Sequence, residues 1–295
     1  MSYATTADGV RLYTEETGSG TPIVFVHEFG DNYHSWDHQV EFFSRRYRCI
    51  TFAARGYPPS DVPQNVDAYS QALAMQDILA VMDHHEVPRA HVIGCSMGGF
   101  AALHFGLNHP DRALSLVAAG AGYGAEKAHE QYFRDVSNQV AERFETLGSK
   151  AFSSIYGSGA SRVQYQNKNP AGWQRFIARL AQHDSRGAAN TMRGVQARRP
   201  SLYDLEAGFR NMAVPTLIVV GDEDDHCLQP GIFLKRTIPA SGLMVVPKSG
   251  HAVNLEEPTV FNQAVAEFLA MVEAGRWAPR DPRARAEQIM QVGAP

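Results

Sequence analysis

AHVIGCSMGGF, Ala90 to Phe100, carries an apolar β-branched run into Gly94, then Cys95-Ser96-Met97, then Gly98 and Gly99. The segment FAALHFGLNHP follows at once, with helix-forming character. This order predicts a strand, a very sharp turn and a helix, with the pattern G-x-S-x-G at the turn. Such a turn holds its serine in a strained backbone conformation, so that the hydroxyl stands clear above the sheet edge. Side chains at positions 94 and 98 would collide where strand and helix approach, and glycine avoids the clash. The helix N-terminus adds partial positive charge and free N–H groups. A glycine-rich turn with an incidental serine reads the same way in isolation, so the neighbouring segments decide.

Moving outward, residues 2–16 predict a hairpin about Asp8-Gly9, a strong turn pair. Ile23-Val24-Phe25-Val26 is a continuous apolar run, as expected of a strand buried on both faces, and it ends in His27-Glu28-Phe29-Gly30. SWDHQVEFFSRRY suits a helix with Trp36, Val40 and Phe43 on one face, and RCITFAA is another buried strand. Asp67 is placed to cap the next helix, on which Ala72, Met75, Leu79 and Met82 recur at helical spacing. Beyond the turn of Ser96, ALSLVAAG is a further strand. From Gly122 to Asp204 no β-branched run remains, and amphipathic helical segments alternate with polar joints. Strand character returns at Val214–Val220 and again at GLMVVP, and VFNQAVAEFLAMVEAG reads as a closing helix. The expected organisation is therefore a core of residues 1–121 and 205–275, a helical cap over 122–204, and a loosely attached tail over 276–295.

Bulk properties narrow the function. The chain has 295 residues, 44% hydrophobic and 20% charged, which is ordinary for a globular protein. A net charge of −4 argues against nucleic acid as the main partner. No apolar run approaches membrane-spanning length, and the N-terminus lacks a basic region followed by an apolar core. Three cysteines, Cys49, Cys95 and Cys227, with no export signal, read as free thiols in a reducing cytoplasm. No Cys/His spacing predicts a metal site; Asp83-His84-His85 reads as a solvated helix end. No cofactor is expected.

Alternating strands and helices predict a mostly parallel sheet, whose sites form beyond the carboxyl ends of the strands. Four such ends carry chemistry. One offers Ser96, one offers Asp222, Asp224 and Asp225, one offers His251, and the loop 27–30 can supply a backbone N–H. Serine is a poor nucleophile until an imidazole takes its proton, and that imidazole needs a carboxylate to fix its tautomer.

With these residues in place, the chain resembles the α/β-hydrolase-fold serine hydrolases with a helical cap, over roughly residues 1–275. The resemblance implies Ser96 as nucleophile, Asp224 as acid in the pattern Gly221-Asp222-Glu223-Asp224, and His251 as base in a Gly-His pair. It also implies an oxyanion hole from the backbone N–H groups of Met97 and Phe29. ARGYPPSD resembles the family's R-G-x-G-x-S segment and departs from it at Tyr57. Glu28 departs too, since many relatives carry glycine there. Its carboxylate is expected to point into solvent or, alternatively, to face the pocket mouth. Tyr123, Tyr156 and Trp173 are the cap aromatics expected, with Glu28, to touch substrate.

A serine at the turn argues against the dehalogenase and epoxide hydrolase branches, which use aspartate. The expected reaction is hydrolysis of a carboxylic ester or lactone through an acyl-enzyme. The amides Gln164, Gln166, Asn167, Asn169, Asn190 and Gln196 suggest a roomy, partly polar pocket and a bulky substrate, such as a macrolide-type lactone. The alternatives are a C–C bond hydrolase of the meta-cleavage type, whose members usually place tryptophan where this chain has Ala252, and a cofactor-free haloperoxidase or perhydrolase. A ligand receptor that has lost turnover is the remaining reading.

Overall fold

The computed structural model describes residues 2–284. All eight predicted strands form and join one sheet. They are β1 (Ser2–Thr5), β2 (Arg11–Thr17), β3 (Thr21–Val26), β4 (Tyr47–Phe52), β5 (Ala90–Cys95), β6 (Ala113–Ala119), β7 (Thr216–Gly221) and β8 (Ser241–Val246). The order across the sheet is β1-β2-β4-β3-β5-β6-β7-β8. The β1–β2 and β2–β4 pairings are antiparallel, and every pairing from β4 across to β8 is parallel. The hairpin loop is one residue longer than a two-residue turn: Thr6 N–H donates to the Val10 carbonyl, with Gly9 at φ 83°. This is the three-residue loop in which glycine takes the left-handed position.

The order in which successive strands are added across the sheet reverses between β3 and β5, which lie side by side. That is the switch point at which loops diverge and leave a crevice above the sheet. The helices α1 (Asp37–Phe43) and α11 (Pro258–Glu273) cover one face, burying Trp36, Phe43, Phe261 and Phe268 against Phe25 and Val219. On the other face α2 (Gln71–His84), α3 (Met97–Asn108) and α9 (Asp225–Thr237) bury Ile78, Met82, Phe105 and Leu234 against Val24 and Val92. Each fully buried side chain of this size contributes about 2 kcal/mol. The cap of α2 differs from expectation. Ser70 Oγ accepts from Leu73 N–H, whereas Asp67 sits in a separate short turn begun by Asn65.

Between β6 and β7 lie α4 (Glu130–Gly157), α5 (Val163–Lys168), α6 (Pro170–Leu180), α7 (Ser185–Thr191) and α8 (Glu206–Asn211). α4 is two helices joined at Gly148, whose φ is 76°. Phe144, Phe152, Phe176, Leu180 and Val195 form an apolar cluster with Phe29, Tyr57 and Met97 at the carboxyl end of the sheet. Leu202, Phe209 and Met212 pack instead with the sheet core. The short helix α10 (Val253–Glu256) follows β8. The described part of the tail is anchored: Trp277 meets Phe268 edge-on at 4.6 Å and its Nε1–H donates to the Ala240 carbonyl at 2.9 Å. Residues 285–295 of the expected tail lie outside the described residues. Among the described residues no helix is long and apolar enough to cross a membrane.

Candidate active site

Ser96 follows β5 with φ 53° and ψ −114°, outside the regions an L-residue prefers. Close packing imposes this conformation. A Cβ on Gly94 would lie 2.1 Å from the Gly98 carbonyl oxygen, and one on Gly98 would lie 2.1 Å from that of Val26. The Ser96 N–H donates to Ala119 at the end of β6, at 2.7 Å. Met97 is the first residue of α3, so its N–H has no acceptor within the helix.

The loop after β3 is held rigidly beside it. His27 Nε2 accepts from Ala54 N–H at 3.0 Å, which leaves Nδ1 to carry the proton and donate to the Glu28 carbonyl at 2.6 Å. Burial pushes His27 down to about 4, so the ring stays neutral in this role. Because a trans peptide points its N–H opposite its carbonyl, fixing the Glu28 oxygen also fixes the direction of the Phe29 N–H. Tyr57, the departure from the family-like segment, donates its hydroxyl to the Phe29 carbonyl at 3.0 Å.

The loops after β7 and β8 meet because Gly221 has no side chain: a Cβ there would lie 2.2 Å from the carbonyl oxygens of Ser249 and Gly250. Of the three aspartates in the first loop, Asp224 reaches the imidazole, His251 Nδ1 donating to its Oδ2 at 2.7 Å. Asp222 accepts from Ser249 N–H, and Asp225 is exposed at the start of α9. Burial opposes ionisation of Asp224, but the His251 charge and hydrogen bond outweigh it and hold the carboxyl below its usual range. In the neutral imidazole, Nδ1 donating to Asp224 leaves Nε2 as the nitrogen free to accept a proton. Sequence reasoning missed Glu256, whose buried carboxylate accepts from Gly250 N–H at 2.7 Å and Ala252 N–H at 3.2 Å, clamping the histidine loop from both sides. An acid five positions after the histidine was its only trace.

Asp224, Cys227 and His251 also form a cluster whose donor atoms lie within 4.8 Å of one another. Burial and the Asp224 charge push the Cys227 thiol well up, and Nδ1 of His251 is engaged by Asp224. The donors are thus set for each other and lack the thiolate that a soft cation would need.

Ser96 and His251 line one cavity of about 70 Å³ with Phe29, Tyr123, Tyr156, Phe133, Ser161, Met192, Gln196, Arg162 and Arg199. Tyr123 meets the His251 ring edge-on at 4.9 Å. Two expectations for substrate contacts do not hold. Trp173 lies away from this cavity, buried, donating its Nε1–H to the Gly157 carbonyl at 2.8 Å. Glu28 reaches neither solvent nor pocket mouth: it is 2% exposed and paired with Arg162, a residue no local pattern singled out. Nor is the pocket roomy. Asn169 caps α6, Asn190 donates to the carbonyls of Pro63 and Gln64, Gln164 binds Glu223, and Gln166 and Asn167 face solvent. Only Gln196 of those amides reaches the cavity. The cavity falls far below the several hundred Å³ a large ligand needs, which removes the argument for a macrolide-sized substrate. A larger cleft of about 520 Å³ lies beside β1 and α2, lined by Tyr3, Asp8, Leu73 and His84, and holds none of these groups.

The chain is similar to known proteins over most of its length. Residues 21–258 match the model of the alpha/beta hydrolase fold family. The chain is 28% identical over 254 residues to 3-oxoadipate enol-lactonase 1 of Acinetobacter baylyi, covering 85% of this chain and 89% of that protein. It is 24% identical over 279 residues to a 2-hydroxy-6-oxononadienedioate/2-hydroxy-6-oxononatrienedioate hydrolase of Cupriavidus pinatubonensis, covering 90% and 94%. Among solved structures, a thermophilic esterase from Thermogutta terrifontis superposes with a TM-score of 0.80 at 27% identity, covering 92% of this chain and 98% of that one. The match over most of its length, with the sheet order described above, makes the chain a member of the alpha/beta-hydrolase-fold family.

Proposed function

We propose that this protein hydrolyses a carboxylic ester or lactone through an acyl-enzyme on Ser96. The observation that carries the reading is the buried contact of His251 Nδ1 with Asp224, in the cavity shared by His251 and Ser96. In this scheme Nε2 of His251 takes the proton of Ser96 as Oγ attacks the substrate carbonyl. The N–H groups of Met97 and Phe29 receive the developing oxyanion; losing one such donor costs on the order of 100- to 1000-fold in turnover. His251 then protonates the departing alkoxide, and water activated by the same nitrogen releases the acid. Asp224 holds the imidazole in the required tautomer and stabilises it when charged. The esterase and lactonase among its relatives act in support of this substrate class.

Cleavage of a C–C bond is the second reading, favoured by the dienedioate hydrolase among the relatives. Rates of the wild type and Ser96→Ala on aryl esters, small lactones and a vinylogous diketone separate the two. Turnover of esters or lactones that disappears in Ser96→Ala supports the proposal. Turnover of the diketone alone replaces it with the second reading.

A further inference from the structure

Arg199 is the charged group of the cavity that has neither an ion-pair partner nor a part in the scheme above. It is 6% exposed, and its Nε and Nη1 are buried without a hydrogen-bond partner. Nη2 donates to the Tyr123 carbonyl. The guanidinium lies 3.6 Å from the centre of the Phe100 ring and 5.0 Å from that of Phe133. Among the described residues no carboxylate forms an ion pair with it, whereas Arg162 in the same cavity is neutralised by Glu28. Burial with no opposing carboxylate pushes Arg199 down to about 9, so its site favours an incoming anion.

An isolated buried cation is expensive, and natural sequences leave few of them without a partner. Aromatic rings next to the guanidinium carbon offset part of the cation's desolvation and occupy none of its N–H donors. Nη1 and the second N–H of Nη2 lie on one edge of the guanidinium and match the two oxygens of a carboxylate, while Nε–H faces a different edge. Resting on the ester- or lactone-hydrolase reading, we propose that the substrate carries a free carboxylate beside its scissile carbonyl and that Arg199 anchors it. Arg199 would then orient the ester over Ser96, using binding energy from a part of the substrate that does not react.

The test compares kcat/KM for p-nitrophenyl butyrate with that for mono-p-nitrophenyl glutarate, in the wild type, Arg199→Lys and Arg199→Gln. The wild type is expected to prefer the anionic ester, and the ratio of the two specificity constants to fall on the order of 100-fold in Arg199→Gln, mainly through KM. Arg199→Lys should restore part of the ratio. A wild type that prefers the neutral ester, or a ratio unmoved by Arg199→Gln, overturns the proposal. Should Arg199→Gln not fold, inhibition of wild-type butyrate-ester turnover by glutarate decides. Competitive inhibition by glutarate that the neutral isostere glutaramide does not reproduce supports the carboxylate site, and equal or absent inhibition refutes it. If neither ester turns over, the hydrolase reading fails with it; if the neutral ester turns over without charge discrimination, only the carboxylate inference fails.

Discussion

Replacing Glu28 by glutamine leaves Arg162 as a guanidinium with no carboxylate, in a place where water cannot take over. The two side chains are 3% and 2% exposed, and Arg162 lies 4.9 Å from the Phe176 ring centre. Breaking one side of a buried pair generally costs about 3–5 kcal/mol, and glutamine keeps an acceptor oxygen, so about 3 kcal/mol is the expected loss. At about 2 °C per kcal/mol for a chain of this size, Tm should fall by roughly 6 °C. Pairing Glu28→Gln with Arg162→Met removes the stranded charge as well, and the double variant should return to within about 1 kcal/mol of the parent. Arg162→Met alone strands the buried Glu28 carboxylate at a similar cost of about 3 kcal/mol, so urea unfolding of all four proteins should close the cycle with a coupling of about 5 kcal/mol. A Glu28→Gln protein as stable as the parent, or a cycle with no coupling, would refute the reasoning that this pair is a buried, mutually dependent unit.

His183 gives a pH-dependent prediction. Both its ring nitrogens are buried without partners beside Tyr57, and burial, followed by the nearby His27 and Arg179, pushes it down to about 3. The unfolded chain takes up a proton at this residue below about pH 6.5 and the folded chain does not, so its neutral form contributes stability that declines from pH 6.5 toward 3. Relative to the wild type, His183→Phe should gain about 2 kcal/mol between pH 7 and pH 5, measured by urea unfolding; a constant difference contradicts this. In Gly98→Ala the new methyl group meets the Val26 carbonyl, pushing the end of β3 and its loop away from Ser96. Turnover should fall on the order of 100-fold with a lowered Tm, and wild-type kinetics would show that the approach is not as tight as described.

The fold was legible because the information is local. The buried strand runs, and the glycines at 94 and 98, are read within a few residues of chain, and the structure places strands and close contacts there. Capping was read less well. Asp67 and Ser70 are both good cap residues, and only the actual start of α2 selects Ser70. What sequence reasoning could not supply are partnerships between distant segments. Glu28 and Arg162 are separated by 134 positions, and nothing near either residue announces the other. Arg199 stands in an Arg-Arg-Pro stretch that reads as surface, yet it is Arg198 that is exposed and Arg199 that turns inward. The aromatics of the helical insertion were ambiguous for the same reason. Tyr123, on the turn after β6, and Tyr156, on α4, reach the cavity while Trp173, on α6, donates to the Gly157 carbonyl, a distinction set by packing between segments.

The central claim is that Ser96 is a nucleophile activated by His251 and Asp224. It is tested most directly by intact-mass spectrometry after treatment with a fluorophosphonate. The account predicts one adduct per chain, mapped to Ser96, absent in Ser96→Ala and strongly slowed in His251→Gln and Asp224→Asn. A folded wild-type protein that stays unlabelled, or one labelled equally well in Ser96→Ala, would contradict it.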